Sequence, residues 1–248
     1  MPIIKNNWLR QLIGRGVTLF IHRFMRSPVH AAHQEYSMIY SQHDNPGKPN
    51  DLLIDLALAA IAEARRTDLS FIAERTTQTY PNPNEFPGEH YRLLTGLITV
   101  LRPVTVIEIG TERGISSLAM KAALPVGAKI HTFDIAPYHQ MKNPVLLQRD
   151  LDDSLIQHVA DLTRTETQQQ FTRLFEEADF IFMDAAKDGQ MERVFLQFFD
   201  SLSFKRKPVL MMDDIHNWNM LAIWRAIERP KLDVSSFAHF TGTGLVLL

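Results

Sequence analysis

The sequence predicts an α/β fold: a doubly wound, mostly parallel, seven-stranded sheet with helices on both faces, plus an N-terminal helical extension. Three observations predict it. From Val104 onward, apolar runs of strand length alternate with amphipathic segments of helix length. The runs DFIFMDA and PVLMM are almost continuously apolar, as central strands covered on both faces must be. Successive strands end in a carboxylate, which gathers Glu108, Asp134, Asp161, Asp184 and Asp213–Asp214 toward one rim.

Residues 1–34 carry Lys5, Arg10, Arg15, Arg23 and Arg26 and no acid, interleaved with Trp8, Leu9, Leu12, Ile13, Leu19, Phe20 and Phe24. Much of this reads as a basic amphipathic helix. Packing on its own domain or on a second subunit is the preferred reading, and contact with a membrane surface is the alternative. Residues 41–50 form a polar Pro/Gly loop. Asn50 or Asp51 then caps the helix DLLIDLALAAIAEARR, whose final arginines sit at the negative pole. Three prolines keep residues 79–88 out of helix. A helix follows over Glu89–Leu101.

Then come the strand VTVIEIG, the helix ISSLAMKAAL, and the strands KIHTFDI and IQHVADL. The helix QQQFTRLFEEA, the strand DFIFMDA, the helix QMERVFLQFFDSL and the strand PVLMMDDI continue the alternation. Helix Trp218–Ile227 leads to two closing strands, Val234–Phe240 and Gly244–Leu248. The chain thus divides into an extension over residues 1–88 and a ligand-binding domain over residues 89–248.

Composition removes several functions. The net charge of −2 argues against general affinity for nucleic acid. No cysteine is present, so disulfides and thiolate metal sites are excluded. No apolar run approaches a membrane span and the N-terminus lacks a signal-peptide pattern, so a cytoplasmic location is the default.

The chemistry starts in the turn G-T-E-R-G after the first strand. Gly110 allows a tight turn and a close backbone approach to a ligand. Gly114 opens the next helix, and Ser116 adds a hydroxyl in its first turn. Asp134, at the tip of the second strand, can accept hydrogen bonds from both hydroxyls of a ribose. The turn lacks the third glycine of a dinucleotide fingerprint, and Glu112 within it opposes a diphosphate. The pattern therefore favours an adenosine cofactor without phosphate.

With DAAKD and MDDI downstream, the stretch from Gly88 to Leu248 resembles the class I S-adenosylmethionine-dependent methyltransferases. Within that Rossmann-like class it is most similar to the cation-dependent O-methyltransferases, of the catechol type and the bacterial sugar- and antibiotic-tailoring type. The resemblance implies that Glu108, Gly110, Thr111, Gly114 and Ser116 hold the methionine half of S-adenosylmethionine and Asp134 the ribose. It places Asp161 near the adenine, where a turn residue is the equal alternative. It implies a divalent metal, Mg²⁺ above all, on Asp184, Asp213 and Asp214, although Asp214 also suits a helix cap. Hard oxygen ligands match that ion, which can lower the pKa of a hydroxyl.

Lys187 is the expected general base, and a surface lysine paired with Asp188 or Glu192 is the plainer reading. His216 is a second base or a substrate contact. The expected partner is a small molecule bearing a hydroxyl, such as a sugar or secondary metabolite, and the apolar N-terminal segments suit a homodimer. Two rivals stand beside this reading: a nicotinamide-dependent oxidoreductase on a similar sheet, and a non-catalytic module that only binds.

Overall fold

The structure, a computed structural model, describes residues 47–76 and 81–248. The basic segment 1–34, most of the loop 41–50 and the start of the loop 79–88 lie outside the described residues. Gly47–Leu248 forms one compact unit. It therefore includes residues 47–88, which the sequence pattern groups with the extension.

Helix α1, Asp51–Ala64, starts where the Asn50 side chain accepts from the Leu53 amide at 3.0 Å. A short helix α2 covers Ser70–Thr76. The sequence reading passed over it, because seven residues with one fully buried apolar anchor, Ile72, give almost no period. Its local signal is Asp68, which accepts from the Ser70 amide at 3.0 Å. Helix α3, His90–Leu101, leads into β1, Thr105–Ile109.

From there the order is α4 (Ile115–Lys121), β2 (Lys129–Asp134), β3 (Leu155–Val159), α5 (Thr165–Glu176), β4 (Phe180–Met183), α6 (Met191–Ser201), β5 (Val209–Asp213), α7 (Trp218–Ala226), β6 (Lys231–Asp233) and β7 (Thr243–Leu247). The seven strands run in the order β3-β2-β1-β4-β5-β7-β6. Five are parallel, and β7 pairs antiparallel with both β5 and β6. Strand order reverses between β1 and β4, which opens a crevice at their carboxyl ends.

The expected closing strand over Val234–Phe240 is not formed. The strand is Lys231–Asp233, and the next residues curl instead of extending. Asp233 accepts from the Ser235 amide at 2.9 Å, while Phe237 and Ala238 both donate to the Val234 carbonyl, at 3.0 and 3.1 Å. Local capping by an aspartate thus overrides a segment with alternating character.

Strand parity divides the core. Val106, Phe180, Phe182, Val209 and Met211 face α1, α3 and α4, joining Leu53, Leu56, Leu93 and Leu97. Ile107, Ile109, Ile181, Met183, Leu210 and Met212 face the other way, onto Phe175, Phe195, Phe199 and Trp224. Burial on both sides explains the near-continuous apolar runs. Helices α1 and α3 cross closely because Gly96 lies against the backbone of Ala60 and Ala64. Among the described residues no helix is long and apolar enough to cross a membrane.

Candidate active site

Of the strand-tip carboxylates, Asp134, Asp161 and Asp184 share one cavity. A cavity of about 370 Å³ lies over the β1–β4 switch, lined by Gly110, Glu112, Phe133, Asp134, Asp161, Asp184 and Phe195 among others. A larger hollow of about 530 Å³ between α6 and α7 contains none of the strand-tip carboxylates.

The glycine turn fits its strand neighbours tightly. Gly110 has φ +102°, and a Cβ there would lie 2.0 Å from the Asp184 carbonyl oxygen. Only glycine lets the end of β1 pass this close to the backbone just after β4. Asp134 faces the same turn: its Oδ2 accepts from the Glu112 amide at 2.9 Å and its Oδ1 from the Ala136 amide at 3.1 Å. Both oxygens keep further lone pairs. Asp161 accepts from the Thr163 amide at 2.9 Å and from its hydroxyl at 2.5 Å. These bonds hold its carboxyl below the usual range, hydroxyl first, and make it a turn residue that also lines the cavity.

Glu108, Thr111, Gly114 and Ser116 do not line this cavity. The reason for Glu108 is parity. Ile109 faces the cavity side, so Glu108 points to the opposite face, fully buried beneath α4. The Ser117 hydroxyl donates to its Oε2, with Ser116 and Thr132 close by. Burial pushes its pKa up to about 7 against that hydroxyl bonding. Thr111 bonds the Thr132 hydroxyl at 2.6 Å in the same buried layer.

Asp184, on the cavity wall, also belongs to a cluster of charged groups. Ligand-capable oxygens of Asp184, Asp213 and Asp214 lie within 4.8 Å of one another. The Lys187 ammonium sits among them, 2.8 Å from Asp184, 3.7 Å from Asp213 and in direct contact with Asp214. Burial and the charge of Asp213 raise Asp184 to about 7, despite Lys187 beside it. Burial alone would lower Lys187, but the Asp184 charge and the bonds to Asp184 and Asp214 outweigh it and hold the ammonium well above the usual lysine range.

Two residues at this point adopt left-handed backbone: Lys187 at φ 61° and Asp214 at φ 58°. Such conformations outside glycine gather at functional sites. Buried Glu192 supports the first by accepting from the Lys187 amide at 2.6 Å and the Gly189 amide at 2.9 Å. Glu192 therefore positions the lysine's backbone, and Asp188 caps α6 by accepting from Met191 at 2.9 Å. Neither takes the ammonium. The set is hard oxygen with an internal cation already seated, so the donors fit a divalent ion such as Mg²⁺.

His216 is placed elsewhere, with Nε2 2.7 Å from Asp233. The histidines at the cluster are His239, 2.9 Å from Asp213 Oδ1, and the deeply buried His90. Thr241 donates to Asp214. Sequence reasoning missed all three. They come from the start of α3 and from the curl before β7, and no local motif ties either to β5.

A mostly parallel sheet with β7 inserted antiparallel next to its edge, a crevice at the β1–β4 switch and acids at the strand tips defines a Rossmann-like methyltransferase fold. The sequence matches the family model described as O-methyltransferase over residues 61–223, more than half of the chain. The chain belongs to the O-methyltransferase family.

Solved structures with a similar fold include an O-methyltransferase from Bacillus cereus in complex with SAH, at 20% identity and TM-score 0.49, covering 81% of this chain and 92% of that one. SAH-bound methyltransferase PaMTH1 from Podospora anserina is 14% identical at TM-score 0.49, covering 100% and 99%. O-methyltransferase TomG from Streptomyces achromogenes, in complex with SAM, is 16% identical at TM-score 0.46, covering 85% and 99%. No curated protein sequence matches the chain at a significant level.

Proposed function

We propose that the protein transfers a methyl group from S-adenosylmethionine to a hydroxyl of a small molecule, with a divalent ion of the Mg²⁺ class at Asp184, Asp213 and Asp214. One observation carries this reading: Asp184 belongs both to the cluster of three converging carboxylates and to the wall of the cavity that holds Gly110 and Asp134. When bound, the sulfonium cofactor supplies an electrophilic methyl, and the hard ion supplies charge that lowers a hydroxyl's pKa.

The chain's residues divide the remaining work. Asp134 accepts from the ribose hydroxyls, and Gly110 keeps the turn beside it tight against the Asp184 backbone. Phe133 and Phe195 offer apolar walls, and Asp161 lies on the same rim. Lys187 is the base toward the substrate hydroxyl. Its three carboxylates hold its proton firmly here, so it can serve only when a cation engages Asp184 and Asp214 in its place. The family, the hard donor set and the absence of a diphosphate fingerprint favour this reading over nicotinamide chemistry.

The test pairs cofactor binding with turnover. Asp134→Ala removes an ionised acceptor, and hydrogen bonds to charged groups contribute about 1.5–3 kcal/mol, so calorimetry is expected to show affinity for S-adenosylmethionine reduced about tenfold or more. Lys187→Ala should abolish most methyl transfer to a panel of diols and phenols while leaving cofactor affinity nearly unchanged. Activity that survives exhaustive chelation would remove the metal from the mechanism, and full turnover by Lys187→Ala would remove the lysine.

A further inference from the structure

We propose that His90, His239 and Asp213 form a second cation site, of mixed nitrogen and oxygen donors, that takes a transition-metal ion of the Zn²⁺ or Co²⁺ class. It shares Asp213 with the carboxylate cluster and does not depend on the methyl-transfer reading.

The donor atoms of the three residues lie within 4.8 Å of one another. Asp213 is divided between two sets of partners: its Oδ1 faces the imidazoles and its Oδ2 faces Lys187. His90 is 2% exposed, and its Nδ1 is fully enclosed without a hydrogen bond. That atom points at Asp213 Oδ1 from 3.4 Å, beyond a good hydrogen bond. Its ring is fixed by Tyr91, Phe182 and His239, with centroids at 4.9, 5.6 and 5.3 Å. A buried polar atom held in place without a partner is rare and asks for a ligand.

The spacing suits a metal. Ligand bonds of about 2.0–2.1 Å put neighbouring donors about 3.3 Å apart at the tetrahedral angle and about 2.9 Å apart at a right angle. The His90–Asp213 separation, 3.4 Å, falls at the first edge; the 2.9 Å between His239 and Asp213, spanned here by a hydrogen bond, equals the second. Imidazole donors select Zn²⁺, Co²⁺ or Ni²⁺ over Mg²⁺, so the two halves of Asp213 would serve ions of different hardness. The partly exposed His239 gives an entry path, and two nitrogens with one oxygen leave coordination positions open.

The experiment uses the full-length protein stripped with chelator, then titrated with Zn²⁺ or Co²⁺ in excess Mg²⁺, with bound metal measured by emission spectrometry and the Co²⁺ visible spectrum recorded. The wild type is expected to retain one Zn²⁺ per chain. Asp184→Asn, which disrupts only the carboxylate cluster, should retain it too, so failure of the Mg²⁺ site leaves this result readable. His239→Ala and His90→Gln should each lose at least about 100-fold in affinity, since even outer-shell changes cost 10–100-fold. Should His90→Gln not fold, as judged by circular dichroism, the more exposed His239→Ala decides. A wild type that binds no Zn²⁺ in excess Mg²⁺, or a folded His239→Ala with unchanged affinity and spectrum, overturns the proposal.

Discussion

Replacing Glu108 by Gln removes one ionisable proton from the core and should change how stability depends on pH. Glu108 is fully buried, and burial lifts its pKa from the ordinary 4.5 to about 7. The folded value lies above the unfolded one, so the folded chain holds the proton more tightly. The stabilisation is complete below pH 4.5 and is lost as pH rises through 7. At about 1.4 kcal/mol per pH unit the full effect is about 3 kcal/mol. About 2.5 kcal/mol of it falls between about pH 5 and about pH 8.

Gln keeps the shape and can still accept from Ser117, but it does not ionise. Urea unfolding of both proteins at those two pH values isolates the effect, because other titrating groups are common to both and cancel. The wild type is expected to lose about 2.5 kcal/mol more than Glu108→Gln on going from the lower pH to the higher. Parallel pH dependences, within about 0.5 kcal/mol, would mean that Glu108 titrates as an exposed acid and that the parity argument is wrong.

Two further substitutions test how the sheet is clad. Gly96→Ala sets helix propensity, which favours Ala by about 0.5–1 kcal/mol, against a Cβ 2.3 Å from the Ala60 carbonyl oxygen. Overpacking costs about 1–3 kcal/mol, so the clash should win and lower Tm by a few degrees, and a raised Tm would show that α1 and α3 are not in close contact. Lys231→Met removes a buried ammonium that donates to the carbonyls of Trp224 and Arg225 at the end of α7 and lies 5.0 Å from the Trp224 ring. A loss of about 1–3 kcal/mol in urea unfolding is expected, with faster amide exchange near Ile227, and unchanged exchange there would deny the capping role.

The central strands were legible because burial on both faces leaves a local signature. DFIFMDA and PVLMMDDI contain β4 and β5, with Asp184 and Asp213 at or just past their ends. The site acids on these tips follow from that register, and so does Asp134 at the end of β2. Glu108 shows the limit: its place in the motif was clear, but a single step of strand parity sends its side chain away from the cavity. Closing strands were harder, because at Asp233 a side-chain cap competes with extension and the pattern records both tendencies.

Chain chemistry alone determined the alternating architecture, the glycine turn and the row of carboxylates, since each depends on residues close in sequence. Tertiary structure decided which charges meet. The ammonium of Lys187 went to Asp184 and Asp214 rather than to Asp188 or Glu192, His216 went to Asp233, and His90 and His239 arrived at Asp213 from opposite ends of the domain. Periodicity encodes which face is buried, but the pairing of polar groups across elements depends on how the helices and the final curl pack, and no local spacing records that.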